Sequence, residues 1–352
     1  MFIKIFILFG LTAISAGLSI AQTKNLEIYW IDVDGGSSTL LVTPSGKSLL
    51  VDTGSPGPGD RDAKRVFEAA RAAGLKQIDS LVTTHYHGDH AGAIPALVKM
   101  IPIGHFYDHG DSIDAQTERG KLIWEPYEAL TRGKRTILKP GDKLPLEGVE
   151  TIIVSSNGQI IGSTLPGGGP NDLCASAVRH PDDKSENQRS VGYILTFGKF
   201  KFGSFGDLTW DKEMELACPV NKLGTLTLMQ ATHHGFLNDN SGAPAHVHAL
   251  RPQVIIVNNS TVKGWQNSAW ETVMKSPGLE DTWQLHKTIA PNHDHNVDDN
   301  HIANLENSGP SWPASATESE CKGYWVKASI APDGKFTVTN GRNGFSKTYT
   351  AR

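Results

Sequence analysis

Alternating apolar and polar positions open the sequence and predict strands. Residues 26–33 alternate with the two-residue period of a half-buried strand. Apolar runs at 39–42 and 48–51 follow, and the turn sequence Pro44-Ser45-Gly46 separates them. We therefore expect the chain to begin with an antiparallel sheet.

The period then lengthens to that of a helix. Four apolar residues share one face of the segment 61–73, and Gly74 closes it. A strand at 78–84 and a second helix at 94–100 follow. The order helix, strand, loop, helix is typical of an α/β unit.

The second half of the chain repeats this alternation. Further apolar runs predict strands at 151–154, 190–197, 200–205, 225–231 and 253–257. A helix is predicted at 268–275, and the turn Pro332-Asp333-Gly334 predicts a hairpin of strands 324–330 and 335–339. Residues 105–147 fit neither period clearly.

The first 21 residues form a separate segment. Lys4, the apolar run 5–11 and a small-residue stretch ending at Ala21 are typical of a secretory signal peptide, cleaved before Gln22. The alternative is an uncleaved membrane anchor, for which the apolar stretch is short. We predict one main domain at 22–310 and a C-terminal hairpin extension, 311–352, packed on the same domain.

The loop after strand 78–84 concentrates groups that bind metals. His85, His87, Asp89 and His90 lie within six residues. Neutral imidazole and carboxylate are ligands of Zn²⁺ and related ions. His85 and His87 can turn to one ion while Asp89 and His90 face a second, which predicts a two-metal hydrolytic centre. A surface loop with no ligand role is the alternative.

This loop resembles the signature loop of the metallo-β-lactamase superfamily. The resemblance implies an α/β fold, a four-layer αββα sandwich with the metals at the sheet edges. It also implies that Asp52, at the end of strand 48–51, fixes the metal loop through hydrogen bonds. It does not imply β-lactam hydrolysis, because one fold serves many reactions.

The remaining ligands are expected at two later strand ends. By the resemblance, Asp207 supplies the carboxylate that bridges both ions, and His233 completes the second site. His233 is favoured over His234 because it follows its strand directly, and the reverse assignment remains open. Asp89 and His234 are the predicted catalytic residues: Asp89 orients the attacking hydroxide, and His234 stabilises the leaving oxygen.

The first site lacks the third histidine that most members of the superfamily have. The sequence Asn187-Gln-Arg-Ser190 stands there instead, and it resembles the branch that includes the extracellular domain of competence DNA-uptake proteins. Asn187, His180 or water could be the third ligand. Arg189 could assist His234 if it points inward.

Charge and cysteine content restrict the class of protein. The net charge of −4 argues against a stable nucleic-acid partner, whose binding surface is usually basic. Cys174, Cys218 and Cys321 permit one disulfide in an oxidising compartment, and the sequence does not reveal which two pair.

Together these features predict an exported, periplasmic or extracellular metal-dependent hydrolase. We expect a hydroxide bridging two divalent ions, zinc or alternatively manganese, to attack a small-molecule or phosphodiester substrate. Phosphodiesterase or nuclease-like activity is favoured. The alternatives are hydrolysis of a lactam, lactone or thioester, or metal binding without turnover. No membrane contact is expected after signal cleavage.

Overall fold

The computed structural model describes residues 25–236, 240–289, 295–305 and 321–352. The predicted signal peptide, residues 1–21, lies outside the described residues, as do the predicted boundaries at residues 22 and 310. Within the described ranges, no helix combines the length and the apolar character needed to cross a membrane.

The strands of the described residues are, in chain order, β1 (Leu26–Trp30), β2 (Thr39–Val42), β3 (Ser48–Val51), β4 (Ile78–Val82), β5 (Ile103–Asp108), β6 (Arg135–Ile137), β7 (Glu150–Ser156), β8 (Gln159–Ile160), β9 (Gly169–Pro170), β10 (Gly192–Phe197), β11 (Phe200–Ser204), β12 (Val220–Asn221), β13 (Leu228–Gln230), β14 (Val254–Val257), β15 (Asp281–His286), β16 (Ile302–Asn304), β17 (Val326–Ile330), β18 (Lys335–Asn340) and β19 (Ser346–Thr350). The helices are α1 (Arg61–Ala72), α2 (Gly88–Ala91), α3 (Ile94–Leu97), α4 (Glu118–Thr131), α5 (Trp210–Ala217), α6 (His233–Phe236), α7 (Pro244–Leu250) and α8 (Asn267–Met274).

Two large sheets dominate this part of the chain. The first has the strand order β19-β18-β17-β1-β2-β3-β4-β5-β6, and the second has the order β16-β15-β14-β13-β11-β10-β7-β8. Strand β17 pairs antiparallel with the whole of β1, from Leu26 opposite Ile330 to Trp30 opposite Val326. The strands of the predicted C-terminal hairpin therefore extend the first sheet.

In each central strand, side chains point alternately into the core between the two sheets and toward the helices on the outer face. In β3, Leu49 and Val51 enter the core between the two sheets, whereas Leu50 packs with α1 residues such as Val66. In β14, Val254 and Ile256 enter the same inter-sheet core. Their neighbours in the strand, Ile255 and Val257, pack with α7 and α8. Both sheets are thus apolar on two faces, and the predicted αββα sandwich is confirmed.

The hydrophobic periodicity of the sequence did not predict several helices and strands of the structure. Helix α4 lies in the region 105–147, where Ile123, Trp124 and Tyr127 are buried but Leu122 is 69% exposed, so its apolar stripe is blurred. The predicted helix 94–100 is helical only at Ile94–Leu97. Helices α5 and α7 and strands β15 and β16 were also missed.

The three cysteines separate into two environments. Cys174 and Cys218 form a disulfide, with 5.6 Å between their Cα atoms. Cys321 is buried elsewhere and takes no part in it.

Candidate metal centre

The candidate site forms where parallel strands of both sheets end. Strand β3 leads into Asp52 and β4 into His85 in the first sheet, while β11 leads into Asp207 and β13 into His233 in the second. Strands β3 and β4 are parallel, as are β11 and β13, so their carboxyl ends lie at the same edge. Such edges are where α/β folds place ligands.

Four side chains converge at the middle of the site. His90 Nε2 lies 3.3 Å from His234 Nε2 and 3.2 Å from Asp207 Oδ2. His234 Nε2 lies 3.3 Å from the same carboxylate oxygen and 3.4 Å from Asp89 Oδ2. Asp89, His90 and His234 therefore form one group, which we call the second group, with Asp207 beside it.

His85 and His87 form a pair that we call the first group, and His85 also lies within ligand distance of both His90 and Asp207. His85 Nε2 is 3.1 Å from His87 Nδ1 and 3.8 Å from Asp207 Oδ2. His85 and His87 thus present facing ring nitrogens, and the Asp207 carboxylate reaches both groups. The four residues of the predicted loop and Asp207 come together as the sequence suggested.

His233 and His234 occupy different positions. His234 approaches Asp89, His90 and Asp207, whereas His233 Nε2 comes within 3.5 Å of Asp207 alone among the described carboxylates. Both residues have left-handed backbone angles, with φ of 49° and 58°. This turn brings the second histidine, not the first, into the second group. The geometry therefore favours the assignment that the sequence argument ranked lower.

Asn187 is the better placed alternative for the first group. Its side chain is 8% exposed and lines the same cleft as His87 and Asp207. No hydrogen-bond donor among the described residues reaches its Oδ1. His180 instead stacks on Trp210, with ring centroids 4.1 Å apart, and is not among the residues that line the cleft.

Hydrogen bonds on the far sides of the rings fix their orientation. Asp52 Oδ2 lies 2.7 Å from His90 Nδ1, and Asp52 Oδ1 accepts a bond from the backbone N–H of Thr84 at 2.8 Å. Asn258 Nδ2 lies 3.3 Å from His234 Nδ1. Asp52 thus makes the contacts that the resemblance implied for it, and both Nε2 atoms are left facing inward.

Burial and charge set the protonation states. Burial alone would raise the pKa of Asp207, but His234 and His90 hold it well below its usual range. Burial lowers the pKa of His233 to about 4, so its imidazole is neutral at neutral pH. Burial also holds the pKa of His85 well below its usual value, with His90 and His87 acting in the same direction.

These residues fit a divalent metal ion. The donors are imidazole nitrogens and ionised carboxylates, which suit Zn²⁺ and Mn²⁺. Burial alone would lower the pKa of His90 and His234, but Asp207 raises the pKa of both, so an ion that binds there displaces protons. His90 and His234 are each oriented by a partner on the other ring nitrogen, as ligating histidines usually are. The unpartnered amide oxygen of Asn187 adds one acceptor at the first group.

The centre opens into a cleft of about 490 Å³. Its floor includes His87, Asp89, Asp207 and His233. The lining also includes the amino end of α4 and the residues before it, which we call the α4 wall, namely Asp114, Thr117, Arg119 and Gly120. Asp114 Oδ2 lies 3.9 Å from His87 Nε2, so this wall adjoins the first group. A substrate in the cleft would therefore contact both the ligand groups and a helix amino terminus.

Several residues of the site were missed by the sequence argument. Lys263 donates to Asp89 Oδ2 across 174 residues of sequence, and no local pattern marks it. Glu186 lies beside the predicted Asn187 and accepts a bond from the backbone N–H of Tyr86 at 3.2 Å. Arg189 donates to Asn157 instead of pointing inward, which corrects its suggested role.

Comparison with known proteins agrees with the predicted superfamily. Residues 31–184, fewer than half of the 352, match the sequence model of the Metallo-beta-lactamase superfamily. A metal-dependent hydrolase of Thermodesulfovibrio yellowstonii is 36% identical over 75 residues, 21% of this chain and 25% of that protein. The resemblance predicted from the metal loop is therefore confirmed for this segment of the chain.

Two longer matches agree with the predicted branch. Recombination protein 2 of Haemophilus influenzae is 23% identical over 241 residues, 68% of this chain and 25% of that protein. ComE operon protein 3 of Bacillus subtilis is 22% identical over 254 residues, 66% of this chain and 28% of that protein. This chain thus spans about a quarter of the length of the relatives it matches.

Proposed function

We propose that this chain is an exported phosphodiesterase that works with two divalent ions, zinc or manganese. The observation that carries the proposal is the position of Asp207, whose Oδ2 lies 3.8 Å from His85 Nε2 in the first group and 3.2–3.3 Å from the Nε2 atoms of the two histidines in the second. Ions bound by the two groups would lower the pKa of a water molecule and polarise the phosphoryl oxygen under attack.

The roles of the chain's own residues follow from the cleft. Asp89 and Asp207 accept hydrogen bonds from the attacking water and orient it. His233 lines the cleft, and its Nδ1 has no hydrogen-bond partner among the described residues. We therefore transfer the leaving-oxygen role from His234 to His233, because His234 is enclosed in the second group.

The α4 wall of the cleft favours an anionic substrate. Arg119 is exposed in the cleft, and the amino end of the fourteen-residue helix α4 carries the positive end of a helix dipole. A phosphodiester carries one negative charge, which this wall would attract. Asp114 lines the same wall, and its carboxylate offsets part of this attraction.

Export is supported by two features. The leading segment has the anatomy of a signal peptide. The Cys174–Cys218 disulfide is of the kind that persists in oxidising compartments.

The activity is tested with a substrate panel. The purified protein supplied with Zn²⁺ or Mn²⁺ should cleave bis(p-nitrophenyl) phosphate, and Asp89→Ala should be slower by about a hundredfold or more. Asp182→Ala is the matched control, because Asp182 is an exposed carboxylate paired only with Lys184 at the surface. Both variants are compared with wild type for bound metal.

Two other results would contradict the proposal, and each would indicate a different function. Cleavage of nitrocefin or an acyl-lactone without phosphodiester cleavage would identify a carboxyl-directed hydrolase. Bound metal with no turnover on any of these substrates would instead favour a metal-binding protein.

A further inference from the structure

A lysine side chain reaches the second group from a distant loop. Lys263 Nζ donates to Asp89 Oδ2 at 2.5 Å, the same oxygen that lies 3.4 Å from His234 Nε2. The side chains of Lys263 and Asp89 are 22% and 18% exposed. The ammonium therefore lies directly beside a candidate metal ligand.

Hydrogen bonds fix both the backbone of Lys263 and the end of its side chain. Ser260 Oγ accepts from the Lys263 backbone N–H at 3.0 Å, and the Ser260 backbone N–H donates to the Lys263 carbonyl oxygen at 3.2 Å. At the other end, Nζ also donates to the carbonyl oxygen of Gly35 at 3.0 Å. The side chain is thus extended between two fixed points.

Two adjacent glycines make room for this arrangement. A Cβ atom at Gly35 would lie 2.7 Å from Ser260 Cβ and 3.2 Å from Lys263 Cδ. A Cβ atom at Gly36 would lie 2.3 Å from the carbonyl oxygen of Asp89. Only glycine lets the loop approach both Lys263 and Asp89 so closely.

We propose that Lys263 is a positioning residue that fixes the Asp89 carboxylate and weakens the binding of a divalent ion by the second group. The inference rests on the proposed function only in taking the second group as a metal site. The fixed positive charge repels a dication a few ångströms away, and it also neutralises the charge that Asp89 would bring to the ion. The two ions would therefore be held with unequal affinity.

Stepwise metal binding tests this proposal. Calorimetric titration of the metal-free protein with Zn²⁺ or Mn²⁺ should show the weaker of two ions binding at least about tenfold more tightly in Lys263→Gln and in Lys263→Met, because the repulsion is removed. Lys263→Arg keeps the charge and should stay near wild type. Lys275→Gln, which removes a surface lysine paired with Glu271, is the control and should match wild type.

The possible results separate the two proposals. If Asp89→Ala removes one ion but neither neutral variant of Lys263 tightens it, the role of Lys263 is wrong and the metal centre stands. If the wild-type protein binds no divalent ion, the proposed function fails, and this inference fails with it. Tighter binding in Lys263→Arg as well would also overturn the charge argument.

Discussion

Two buried clusters of histidine and carboxylate in this protein have similar composition but different partners. One is the metal centre. The other, which we call the Asp32 cluster, joins Asp32, His286 and Cys321. Asp32 Oδ1 lies 2.6 Å from His286 Nε2, and Asp32 Oδ2 accepts from Arg65 Nη1 at 2.6 Å. All three residues of this cluster are of types that bind metals.

The difference between the clusters is the cation that the chain itself supplies. In the Asp32 cluster, the Arg65 guanidinium already neutralises the buried carboxylate. Burial, reinforced by Asp32, raises the pKa of the Cys321 thiol to about 12, so the thiol is protonated at neutral pH in the metal-free protein. Around Asp207, by contrast, the described partners within ion-pair distance are imidazoles.

Asp89 is intermediate between these two cases. It belongs to the metal centre, yet it already has an ammonium partner in Lys263. Ligand-type residues alone therefore do not define a metal site. The imidazoles beside Asp207 can release their protons when an ion binds, whereas the guanidinium beside Asp32 cannot, and this difference decides whether an ion can bind.

The largest effect is expected from removing the shared carboxylate. Asp207→Ala should lose metal from both groups and reduce phosphodiester turnover by more than about a thousandfold. Metal content by mass spectrometry and turnover of bis(p-nitrophenyl) phosphate measure this, with Asp182→Ala as the control. Retention of two ions by Asp207→Ala would remove the contrast between the clusters.

The Asp32 cluster should respond in stability instead. Asp32→Asn removes the carboxylate that faces the Arg65 guanidinium, whose side chain is only 10% exposed, and should cost about 3–5 kcal/mol of the free energy of unfolding, with metal content unchanged. Asp299→Asn, at a surface pair with Lys287, should cost less than about 1 kcal/mol. Urea unfolding measures both. Loss of metal from Asp32→Asn would show that this cluster is also a metal site.

The free energy of unfolding of Asp32→Asn should also depend on pH differently from that of wild type. Burial by itself would raise the pKa of Asp32, but His286 and Arg65 lower it below its ordinary value of 3.8. A depressed pKa contributes stability above the unfolded value, and that stability is lost as the pH falls below about 4. Wild type should therefore lose more stability than Asp32→Asn on acidification through this range.

The smallest effect separates the adjacent histidines. His234→Gln should weaken one ion by about 10- to 100-fold, because it removes a ring from the second group. His233→Gln should leave both affinities near wild type and lower turnover, since His233 faces the cleft. Calorimetric titration and kcat measure the two effects. The opposite pattern would restore the order favoured from the sequence.

Much of the site could be predicted because its ligands are local in sequence or end predicted strands. His85, His87, Asp89 and His90 share one loop, and Asp207 follows a clear hairpin strand. The order of His233 and His234 could not be settled, because a left-handed turn decides which ring points inward. The contact of Lys263 with Asp89 could not be predicted from the sequence, because the two residues are 174 positions apart.

The sequence alone determined most of the central strands and the donors of the metal loop, and the resemblance of that loop to a known superfamily implied the layered fold. Periodicity fixes which faces of strands and helices are apolar, and the residue types of one loop fix the donors offered to a metal. The tertiary structure decided which buried carboxylates keep their charge available. That outcome depends on where Arg65 and Lys263 end up in space, and electrostatic interaction depends on distance in the folded chain, not on separation along the sequence.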